Sequence, residues 1–209
     1  MTTKTAAATT RSKPRATKPK PATAQEFRRI ALDIVGELNL AALVKKVDFS
    51  PRLFVVFGHQ DQALVSTLEG IPSPVTDPLY LRLTLLSFGR AQAAAGSLAI
   101  LGIFLLYEEA GEPILIGKTS TGLSLVAKPS SRPPHDLTVG DCTQGDPPDD
   151  RHPLDAFLIA ADTKRQGEAV KMIGDCIVEL RPFDETLEGL TTARKGFHTF
   201  RTYDRRGQL

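Results

Sequence analysis

A histidine and a carboxylate stand one residue apart in Gly58-His59-Gln60-Asp61. An imidazole titrates near neutral pH, and a nearby carboxylate can orient it or share a metal ion with it. His59 and Asp61 are therefore the candidate catalytic pair, with a hydrolase as the corresponding activity. The apolar run Leu53 to Phe57 reads as a short strand ended by Gly58, and Gln60 to Leu68 reads as a short helix. The pair would then sit at a strand-to-helix corner, where Asp61 serves equally well as a helix N-cap.

A second collection lies between residues 135 and 155: His135, Asp136, Asp141, Cys142, Asp146, Asp149, Asp150, His152 and Asp155. Carboxylate oxygens in number suit calcium or magnesium, and His135, Asp141, Asp149 and His152 are the candidate ligands. The Asp-x-Asp-x-Asp-Gly run of a calcium loop is absent. His135 and His152 are seventeen residues apart with one cysteine between them, which is not a zinc spacing. The stretch reads as a solvated acidic loop, and no cofactor is expected. Gly117-Lys118-Thr119 has the ending of a phosphate-binding loop, but Glu112 occupies the position where that motif needs its first glycine. Neither Gly-x-Ser-x-Gly nor Gly-x-Gly-x-x-Gly occurs.

The charge distribution carries more information than any of these motifs. Residues 1–25 hold Lys4, Arg11, Lys13, Arg15, Lys18 and Lys20 and no acid. Residues 191–209 hold Arg194, Lys195, Arg201, Arg205 and Arg206 against Asp204 alone. The stretch 26–190 holds 15 basic and 23 acidic residues, so an anionic body of net −8 lies between cationic ends of +6 and +4. Cations on extended chain can follow a phosphate backbone. Phe197, Phe200 and Tyr203 interleave with the C-terminal cations, the combination that stacks bases while neutralising phosphates. On a helix the same spacing of three would form a stripe that docks on the core. Nucleic acid is the partner this distribution favours. A protein partner or self-association, with the basic arm on the acidic surface of another copy, is the alternative.

Those residues need elements to place them. Residues 1–24 are low in complexity and lack Leu, Ile, Phe and Val, so a disordered basic arm is expected. The same lack of an apolar face argues against a transit peptide, and no apolar core of a secretory signal is present. From Ala24 to Lys46, Phe27, Ile30, Ile34 and Leu38 recur at helical spacing, with Thr23 as N-cap. Asp77-Pro78 opens a second helix over 78–95, stopped by Gly96, although Leu79, Leu81, Leu83 and Leu85 also alternate as in a strand. Residues 97–107, 113–118 and 123–128 form a meander. Six prolines between 129 and 153 imply a long loop without regular structure. Residues 155–163 and 169–180 read as two further strands, the second with a bulge at Gly174.

The expected class is α+β: an antiparallel sheet of about five strands with two main helices packed on one face, behind the arm. The expected division is 1–24 arm, 25–190 domain and 191–209 basic tail. Ala91 to Tyr107 is apolar but interrupted by Gly96 and Gly102, so it reads as core rather than a membrane span. Two cysteines, Cys142 and Cys176, suit unpaired thiols in a cytoplasmic protein.

Overall fold

A computed structural model describes residues 20–45, 50–59, 62–96, 98–130, 136–180 and 197–204. The elements run α1 (Ala24–Lys45), β1 (Arg52–His59), β2 (Gln62–Glu69), α2 (Pro78–Ala95), β3 (Ala99–Glu109), β4 (Glu112–Lys118) and β5 (Leu123–Pro129). They continue through β6 (Leu137–Val139), β7 (Thr143–Gln144), α3 (Asp155–Ala161), α4 (Gln166–Leu180) and β8 (Phe197–Asp204). The class is α+β, as the sequence implies, but the sheet is larger than expected. Its order is β6-β5-β4-β3-β1-β2-β8, with β7 also paired to β5, and every pairing is antiparallel.

The helices do not share one face. Strand alternation sends Leu53, Val55, Phe57, Ile103 and Leu105 into a core with α2, α3 and α4. Phe54, Val56, Phe104, Leu106 and Leu115 enter a second core under α1. The central strands are apolar on both faces because both faces are covered. α1 begins with a reciprocal cap: the Glu26 N–H donates to Thr23 Oγ1 (3.2 Å) and the Thr23 N–H to Glu26 Oε2 (3.3 Å). Phe27 then stacks on Phe104 with ring centroids 4.5 Å apart. Gly102 leaves the room for this stack, since a Cβ there would lie 2.7 Å from Phe27 Cε2.

Asn39, a poor helix former in mid-helix, has a partner outside α1. Its Nδ2 donates to the Leu137 carbonyl (3.1 Å) and its Oδ1 accepts the Leu137 N–H (3.0 Å), so a side chain occupies backbone groups of β6 at the sheet edge. α2 is helical from Pro78 as expected, and Gly96 closes it at φ 61° with its N–H on the Gln92 carbonyl. Asp77, however, makes no side-chain cap.

Four sequence readings change. Residues 62–69 form β2, not a helix, and residues 155–161 and 166–180 form helices, not strands. The 129–153 stretch is mostly loop but contributes β6 and β7. The apolar run 91–107 divides between the end of α2 and β3, and no helix among the described residues is long and apolar enough to cross a membrane.

Candidate functional site

The most developed polar site lies where the 146–156 loop folds over the N-terminal half of α2. Lys118 ends β4, in register with Ile103, and so faces the layer of α2, α3 and α4. Asp155 opens α3 and is completely buried. The Lys118 Nζ stands 2.7 Å from Asp155 Oδ1. The other carboxylate oxygen accepts the N–H groups of Asp149 (3.3 Å) and His152 (3.1 Å). One carboxylate thus neutralises a buried ammonium and gathers the loop before α3. Ion pairs in such places survive because hydrogen bonds complete them.

His152 sits on top of this pair. Its Nδ1 accepts the Leu154 N–H at 3.2 Å, which leaves the ring proton on Nε2. Burial pushes the imidazole pKa down, the Lys118 charge pushes it further down, and Asp155 opposes both. The ring is therefore neutral at pH 7. Beside it Arg82 of α2 pairs with Asp150. Asp150 holds a left-handed backbone, φ 76°, which is uncommon for a residue with a Cβ. Burial raises its carboxyl pKa, and the Arg82 charge opposes that rise.

These groups border a cleft of about 230 Å³ lined by Pro74, Pro78, Leu81, Arg82, Asp150 and His152, among others. Ligand pockets usually enclose about 300 Å³ or more. Arg82 and Asp150 already satisfy each other's charge. The cleft therefore offers a neutral imidazole beside a closed ion pair, with no nucleophile activated by a base.

The candidate metal ligands are dispersed. Asp141 is almost fully exposed and stands 3.7 Å from Arg28 Nε of α1. Asp149 pairs with Arg151, which also reaches Asp146 at 3.2 Å. His152 faces the cleft on the α2 side of the sheet, while His135 lies outside the described residues. Among the described residues no group of three or more His, Cys, Asp or Glu side chains is placed to hold a metal.

His59 ends β1 opposite Gln62 of β2, so the corner is a strand-to-strand hairpin, and Asp61 lies outside the described residues. Cys142 and Cys176 are both free; Cys142 packs against the α1 core and Cys176 in the core beneath α4, on opposite sides of the sheet.

Of the candidate nucleic-acid contacts, Lys4, Arg11, Lys13, Arg15, Lys18, Arg194, Lys195, Arg205 and Arg206 lie outside the described residues. Lys20 is exposed just ahead of α1. Phe197, Phe200, Arg201 and Tyr203 belong to β8, the strand at one end of the sheet. The helical spacing envisaged for them is replaced by an extended strand whose pairing with β2 is interrupted by a register shift between Thr67 and Leu68. Arg201 is in register with Val65 and Tyr203 with Ala63.

The residues that sequence reasoning passed over are Lys118, Arg82 and Asp155 acting together. A signal was present: in Ile114-Leu-Ile-Gly-Lys118 the lysine shares the parity of Ile114 and Ile116, a charge on a core-facing position. Among the described residues the architecture is thus an antiparallel sheet covered on both faces, by one helix on one side and three on the other, with a small polar cleft at its edge. No protein-family model matches the chain, and no curated protein or solved structure matches it.

Proposed function

We propose that this protein is a non-enzymatic binding or assembly module that meets nucleic acid through its cationic ends. The observation that carries the reading is the charge division: +6 over residues 1–25 and +4 over 191–209, around a middle of −8. A polyanion is attracted by the ends and repelled by the body, so contact is confined to the termini. The position of β8 supports this. It puts Phe197, Phe200, Arg201 and Tyr203 on the last strand in the sheet order among the described residues. The cleft at Arg82 and His152 is small, and the charges of Arg82 and Asp150 are already paired there, which does not favour catalysis.

The test is a salt titration of binding to single- and double-stranded oligonucleotides, for the full chain and for a chain lacking residues 1–19. That boundary keeps buried Ala22 and the Thr23 cap of α1. The deletion removes five cations, so if all five meet duplex phosphates the slope of log K against log salt should flatten by about 4.5. Equal affinity and equal slope for the two chains would remove the arm from the mechanism. Absence of binding at low salt would end the proposal.

A further inference from the structure

α4 buries Ala169, Met172 and Cys176, with Ile173 and Leu180 against the same core. Its opposite side is also apolar. Val170, Ile177 and Val178 are 49%, 44% and 62% exposed, three of the seven large exposed hydrophobics among the described residues. The other four are scattered over α1, β5 and the loop before α2. At 3.6 residues per turn, Gly167, Val170, Lys171, Gly174, Ile177 and Val178 form one stripe about 120° wide. Lys171 is its only charge. Among the described residues a Cβ at Gly167 or Gly174 would meet nothing within 4 Å, so packing among them requires neither glycine. Both weaken the helix, and both lower its solvent face so that another backbone can come close.

We propose that this face is a self-association surface on which α4 of a second copy docks antiparallel, about a two-fold axis at Gly174. The charges choose this occupant and this direction. Asp175 and Glu179 flank the stripe on the side that carries Lys171. A two-fold axis in the contact plane reverses height along the helix and keeps the lateral side. Lys171 of each copy then falls between Asp175 and Glu179 of the other, while Val170 falls beside Ile177. None of these three charged residues is in an ion pair among the described residues. A parallel pairing would instead lay the charged flank of one helix on the apolar flank of the other. The fifteen residues of α4 span about 22 Å. One such helix pair is smaller than a standard interface of roughly 1,200 Å² or more, so the dimer is weak and concentration-dependent. The surface is independent of the nucleic-acid reading.

Sedimentation velocity on nuclease-treated full chain, over a wide concentration range at moderate salt, tests it without nucleic acid bridging the copies. The expected result is a monomer–dimer equilibrium. Ile177→Glu and Val178→Glu, at exposed sites that leave the monomer fold intact, should each weaken it about tenfold or more. Lys171→Glu alone and Asp175→Lys/Glu179→Lys together should each weaken self-association, and mixing the two variants should restore a heterodimer in which both charge clusters are complementary again. A wild type that stays monomeric throughout, a dimer indifferent to Ile177→Glu and Val178→Glu, or charge variants that do not recover on mixing would each overturn the proposal.

Discussion

Removing the Asp155 carboxylate should be among the most damaging single changes in this protein. The Asp155→Ala substitution leaves the Lys118 ammonium, whose side chain is 10% exposed, without its counter-charge. It also orphans the Asp149 and His152 N–H groups that the carboxylate accepts. Breaking a buried ion pair from one side costs about 3–5 kcal/mol, most of it the penalty of the stranded charge. That is a large fraction of the roughly 5–15 kcal/mol by which domains are stable. The diagnostic comparison is the double variant Lys118→Met/Asp155→Ala. With the ammonium gone no charge is stranded, and what remains is two backbone donors at about 1–3 kcal/mol each. The double variant should therefore be no less stable than Asp155→Ala alone, with a coupling of up to about 3 kcal/mol in the cycle. The assay is urea unfolding followed by far-UV circular dichroism, since the chain has no tryptophan to serve as a fluorescent reporter. Costs for the two single variants that simply add in the double would show that the ammonium and carboxylate do not depend on one another, and would refute the account of the site.

Three further outcomes follow from other parts of the structure. Gly89→Ala should destabilise by about 1–3 kcal/mol in the same urea assay, despite alanine's better helix propensity, because the new Cβ would lie 2.8 Å from Ala160 Cβ where α2 crosses α3. His152 has a folded pKa below its unfolded value of 6.5, so the unfolded chain takes up this proton first as pH falls, and stability present above pH 6.5 is lost on acidification; thermal melts should show a flatter acid limb for His152→Asn, whose Oδ1 can still accept the Leu154 N–H. Burial raises both thiol pKa values, and Cys176 is 1% exposed whereas Cys142 is half-buried with its Sγ on the Ala24 carbonyl (3.3 Å); Ellman's reagent should modify Cys142 slowly and Cys176 only on unfolding.

The elements that sequence reading found and those it missed differ in how they are buried. α1 was legible because one face is buried: Phe27, Ile30, Ile34 and Leu38 keep helical spacing against solvent-facing neighbours. α3 was not, because Asp155 to Ala160 are all buried, and a run apolar on every side has no period to read. In α4 the spacing of Ala169, Met172, Ile173 and Cys176 is helical, but Val170, Ile177 and Val178 on the outer face filled in the pattern and imitated a strand. β2 shows no readable strand period in the sequence because it too is buried from both sides, with Ala63 and Val65 in one core and Leu68 in the other. The expectation of a one-faced sheet failed for a related reason: Phe54 and Val56 announce a second covered face only once the strand parity is known. At the candidate site Asp155 stands out from the acidic loop as its buried member, and its partner Lys118 comes from the far end of a different hairpin.

The placement of β8 bears on how the chain reaches its folded form. β1 and β2 meet across a hairpin, and β3, β4 and β5 follow one another as neighbours, so most of the sheet forms from segments close along the chain. β8 is different: Gln62 pairs with Asp204, which closes a loop of about 140 residues. Pairings at such separation are slow to find, because chain entropy is lost before any contact offsets it. The β2 margin should therefore be the last part of the sheet to gain amide-exchange protection during refolding, well after the meander has settled. Until then its backbone groups are exposed to any extended segment that encounters them.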